Sequence, residues 1–145
     1  MPTDSGISGI AHAIQLAVAP VFLVLGIGAM LGVMTSRLGR VIDRARVLEG
    51  QLRTGGADAA PLRAQLGTLA LRAQLASRAI TLCTITALLV CTVIAVLFVG
   101  AVLAFDPSIA VALLFIAAMG TFILGLVTFL REILLATASL RIGAP

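Results

Sequence analysis

Few side chains in this 145-residue chain have chemistry to offer: one histidine, two cysteines, six acidic residues and ten arginines, with no lysine. His12, Gln15 and Ala19 fall on one face of a helix by their three- and four-residue spacing. Pro20 cannot donate to the Leu16 carbonyl and so frees an acceptor inside an apolar run. Polar groups at such depth face protein or water rather than lipid, so this face is expected to look inward. Three roles are open to it. His12 and Gln15 bond neighbouring helices and fix packing, or His12 is an interfacial residue without a role. In the third, His12 lies at about the depth of Asp106, and a histidine beside a carboxylate titrates near neutrality and relays or senses protons.

The remaining reactive groups do not combine. Cys83 and Cys91 are separated by about 12 Å of helical rise, beyond the roughly 7 Å between Cα atoms that a disulfide tolerates. Neither reaches His12, at the opposite end of its span, and both read as small packing residues. Paired carboxylates and a nucleophile beside a base are both missing, so acid-base, nucleophilic and metal chemistry lack parts. The sequence predicts no enzyme, no cofactor and no metal site. "GIGAMLG" at residues 26–32 only imitates a phosphate-binding loop, because its spacing is wrong and no strand precedes it.

The elements that must carry these groups follow from composition. A chain 61% hydrophobic and 11% charged departs far from soluble domains, and it belongs in a bilayer. Three apolar runs reach the length of about 20 residues that a spanning helix requires: residues 10–35, 79–105 and 108–130. The first resembles a secretory leader at Ala17 to Ala19, but it lacks a basic start and runs on past that point, so it is read as a retained helix. Residues 36–78 hold eight arginines against Asp43, Glu49 and Asp58, which places this segment in the cytoplasm by the positive-inside rule. Residues 1–9 and the two-residue turn 106–107 contain no basic residue and belong outside; the tail, residues 131–145, returns inside as an amphipathic segment. The expected architecture is a single all-α membrane domain of three spans, N-out and C-in.

The arginine-rich segment has its own order. Leu38, Val41, Ile42, Ala45, Leu48 and Leu52 recur at helical spacing, and Leu62, Leu66, Leu69, Ala73 and Ala76 repeat in coiled-coil steps of four and three. Between them "TGGADAAP" stops one helix, and Pro61 suits the first turn of the next. An antiparallel helical hairpin is predicted over 36–78. The opening "IAHAIQLAVAPVFL", followed by "RLGRVIDRAR" and three spans, resembles a family of small bacterial membrane proteins catalogued only as a domain of unknown function. The resemblance covers nearly the whole chain and implies no activity.

Helix faces suggest how such a chain works. Gly28, Gly32 and Ser36 form a ridge of small residues on the first span; Thr81, Thr84 and Cys91 mark the second, and Thr121, Gly125 and Thr128 the third. Such faces allow close backbone approach and hydroxyl bonds between helices. They predict a homo-oligomer, either simply packed or enclosing a conduit for ions or small solutes with Glu132 at its inner mouth. The alternative is a scaffold or accessory subunit that binds a cytoplasmic or membrane protein through the hairpin or the spans. Arg37, Arg40 and Arg44 share a face below the first span, where they either set orientation and pair with Asp43, Glu49 and Glu132 or contact an anionic inner leaflet. Nucleic acid is excluded because the segment has no aromatic residue to stack on bases. The implied location is the bacterial cytoplasmic (inner) membrane.

Overall fold

In the computed structural model, residues 3–54, 59–103 and 105–138 are described, with side chains described from residue 8 to residue 137 within those bounds. The chain forms three helices: α1 (Thr3–Arg53), α2 (Ala59–Leu103) and α3 (Ser108–Ala138). Each is long and apolar enough to cross a membrane. In hydrocarbon every backbone amide needs an internal partner, and a continuous helix supplies it.

The first span and first hairpin arm are one helix, as are the second arm and second span. Nothing at 35–36 or 78–79 breaks a helix: Thr35 sits mid-helix with its hydroxyl donating back to the Leu31 and Gly32 carbonyls at 2.8 and 3.0 Å. Even Pro20 is accommodated within α1. At its end, Thr54 donates its backbone N–H to the Gly50 carbonyl at 3.2 Å and its hydroxyl to Gln51 at 3.1 Å, satisfying carbonyls the last turn leaves open. Helix α2 is described to Leu103 and residue 104 lies outside the described residues; Phe105, the predicted end of the second span, is not helical, and α3 runs eight residues beyond 130, so the start of the predicted tail is helical. The rest of that tail, 139–145, lies outside the described residues.

The chain divides into two compact units, each assembled from parts of all three helices. In the first, Met1–Met30 with Leu82–Ile123, the buried side chains are mostly small or medium: Ala13, Ala17, Ile27, Cys83, Thr86, Val90, Val93 and Ala118. Large apolar side chains point outward, with Phe22 68% and Ile109 76% exposed. That inversion suits lipid as solvent, since a leucine gains nothing by leaving it and only close packing rewards helix contact. At one end of this unit Gly100 is obligatory. A Cβ there would lie 2.7 Å from Pro107 Cγ, so the α2–α3 turn closes only over a bare backbone.

The second unit, Leu31–Thr81 with Leu124–Pro145, buries Met34, Val41, Leu48, Leu62, Ala76, Ala79 and Phe129. On α1 the covered positions 34, 38, 41, 45, 48 and 52 advance by four and three, and on α2 the predicted stripe 62, 66, 69, 73 and 76 is buried or half-buried throughout. Ile42, placed in that stripe by sequence, is exposed instead. The seam falls between the ideal 3.5-residue positions 41 and 45, and Ile42 lies just off it.

Candidate functional site

The second unit contains the most polar arrangement in the described chain, centred on Glu132 of α3. This carboxylate is 1% exposed. Burying one without partners costs several kcal/mol, so partners must be built in. Arg72 of α2 donates Nε and Nη2 to Glu132 Oε1 at 3.1 and 3.0 Å. Arg37 of α1 places Nη2 at 3.5 Å from Oε2, an ion pair longer than a hydrogen bond, and Oε2 accepts no hydrogen bond from the described residues. The Arg37 guanidinium also lies over the Phe129 ring, 5.5 Å from its centroid, where the ring face attracts it. All three helices therefore meet at one carboxylate.

Pairing of the leaflet arginines with Glu132 was one of the two roles expected from sequence, and the structure shows it for Arg37 alone. Asp43 pairs instead with Arg46, at 4.0 Å on the exposed surface, which contributes little. Arg40 and Arg44 have no ion-pair partner among the described residues. They and Arg37, Arg72, Val41 and Leu69 line an open depression of about 250 Å³. Arg72 was missed by sequence reasoning, which followed the leucine and alanine stripe through 69, 73 and 76. A signal existed: Arg72 begins a second covered series, 72, 75, 79, on the α2 face adjoining that stripe.

At the other end of the chain, His12 and Gln15 are exposed, contrary to the expected inward face. The covered side of α1 is Ala13, Ala17 and Pro20, and the small alanines permit close packing. His12 and Asp106 do line the same largely apolar depression, about 550 Å³, with Leu16, Leu97 and Phe115, yet they form no ion pair. Asp106 uses Oδ1 to accept the Ser108 backbone N–H at 3.0 Å at the start of α3, and that bond, with the Ser108 hydroxyl, holds its carboxyl below the usual carboxylate range.

The small-residue positions divide between inside and outside. Thr121 shares a 2.9 Å hydroxyl bond with Thr86, Gly125 is buried and Thr128 half-buried, so the α3 stripe faces its own chain. Gly28, Gly32 and Ser36 on α1 and Thr81, Thr84 and Cys91 on α2 are exposed. A Cβ built on Gly28 or Gly32 would meet nothing within 4 Å. Cys83 is buried and both cysteines are free thiols. Among the described residues no group of three His, Cys, Asp or Glu side chains converges as a metal site requires.

These features define an all-helical membrane protein with three helices of spanning length and a buried carboxylate clamped by two arginines. Within that class, the chain belongs to the family described as Protein of unknown function (DUF2721), whose model matches residues 17–142. No curated protein and no solved structure matches it.

Proposed function

We propose that this is a non-enzymatic protein of the bacterial cytoplasmic membrane that crosses three times, N-out and C-in, and assembles with copies of itself through the α1 ridge. The observation that carries the reading is the open surface at Gly28 and Gly32, where a Cβ would touch nothing and where Ser36 continues the four-residue spacing. Glycines at membrane depth weaken a helix unless another helix approaches the bare backbone, and α1 spends its own chain's packing on a different face. The exposed Thr81, Thr84 and Cys91 series then becomes the candidate lining of a conduit along the axis of the assembly. Orientation rests on the arginines of 36–78, which favour the cytoplasmic side.

The mass of the purified protein in mild detergent or native membrane patches tests this. One discrete oligomer is expected, reduced to protomers by Gly28→Leu with Gly32→Leu; an oligomer of unchanged size in that variant excludes the ridge. Ion flux into liposomes carrying the intact oligomer then tests the conduit. A second reading is favoured by the groove of about 550 Å³ between the hairpin arms, lined by Val41, Ile42, Ala45, Leu66, Leu69 and Ala73. There the protein is a scaffold or accessory subunit, and a monomer purifying in fixed ratio with another chain is the result that supports it.

A further inference from the structure

We infer that the depression bounded by Arg37, Arg40, Arg44 and Arg72 is a binding site for a phosphate-bearing anion. Four guanidiniums border it, and among the described residues the one acid paired with any of them is Glu132, which takes Arg72 on Oε1 and Arg37 on Oε2. Positive charge thus stays in excess. Arg40 and Arg44 stand four residues apart on α1 with no anionic partner among the described residues, an arrangement that repels within a helix. A bound phosphate anion would offset that repulsion.

The depression is also prepared. Arg72 and Arg37 are 18% and 28% exposed, held from below by a carboxylate that is itself buried, with Arg37 further fixed over Phe129. A guanidinium has five N–H donors in a rigid fork. Arg72 commits Nε and Nη2 to the carboxylate, so Nη1 remains for a ligand. Planar forks of this kind match phosphate oxygens two at a time. Val41 and Leu69 supply an apolar wall beside the charged groups, as an anion with an attached hydrocarbon portion would need.

Phosphate could arrive as a phospholipid headgroup or in solution. Arg37 follows the first apolar run by two residues, which puts the depression at a bilayer boundary and favours the headgroup. The lipid arm alone depends on the membrane placement proposed above; neither arm depends on self-association.

The test compares full-length protein with Arg40→Gln/Arg44→Gln and with Arg78→Gln/Arg131→Gln, a pair that removes equal charge from exposed positions next to the second and third apolar runs. Binding is read by mass spectrometry as phosphatidylglycerol retained from phosphatidylcholine–phosphatidylglycerol vesicles. It is read separately as the shift in unfolding temperature that inorganic pyrophosphate produces in neutral detergent. The 40/44 variant should retain roughly thirtyfold less phosphatidylglycerol while the 78/131 variant stays near wild type. Loss of the pyrophosphate shift alone in the 40/44 variant also supports the site and names a soluble ligand. Equal losses in both variants, or none in either, overturn it.

Discussion

The two units of this protein are built from the same three helices but are held together by different means. In the first, contact is made by alanine, valine and threonine, one inter-helix hydroxyl bond joins Thr86 to Thr121, and large apolar side chains lie outside. In the second, leucines, a methionine and a phenylalanine turn inward around an ion-pair cluster. Solvent explains the contrast. Lipid does not drive apolar groups together, so the spans gain from close approach, whereas a segment rich in arginine lies in or near water and gains from burying leucine. Helix α1, about 76 Å long at 1.5 Å per residue, exceeds a hydrocarbon core of roughly 30 Å and must meet both conditions.

The contrast is broken most directly at Glu132. Glu132→Ala strands Arg72 and Arg37 in a half-buried setting and should cost about 3 to 5 kcal/mol, measured by denaturant unfolding in mild detergent. Joint replacement of all three residues by apolar ones of similar volume should recover most of that loss, because the isolated cost lies in unpaired charge. No recovery would mean that the cluster stabilises beyond its pairing.

Two valines sharpen the comparison at lower energy. Val41 belongs to the second unit and Val90 to the first, and both are buried. Truncation to alanine should cost about 2 kcal/mol at Val41, where transfer and cavity terms add, and about half as much at Val90, where only packing is lost. Equal costs at the two positions would show that the hairpin arms also lie in lipid.

The smallest effect is a pH dependence at the α2–α3 turn. Asp106 has a lowered pKa in the folded chain because its charged form accepts the Ser108 amide. A depressed acid contributes stability above its unfolded value, about 3.9, and loses it as pH falls through the folded value. Asp106→Asn keeps an acceptor at this position but not the charge, so it should slightly lower stability at neutral pH and flatten the acid limb of the melting curve. An unaltered acid limb would assign that dependence to other carboxylates.

Particular residues show how far sequence reading carried. The hairpin seam from Leu62 to Ala76 was legible because period alone reports which face is covered. The inward face of α1 was not, because at membrane depth a polar residue and a small residue both argue for contact. Spacing and polarity point to His12 and Gln15, and packing favours Ala13 and Ala17. Gly28 and Gly32 were recognised as small and adjacent, while their openness required the folded chain.

Sequence by itself determined the solvent and the number of helices, since apolar run length and arginine distribution are local properties that a bilayer reads segment by segment. It also determined family membership. Tertiary structure decided which arginines reach Glu132, that Arg72 is among them, and that Arg40 and Arg44 are left facing a depression. Those outcomes depend on the rotation and register of three helices against one another. A one-residue change turns a side chain by about 100°, and composition does not encode that angle.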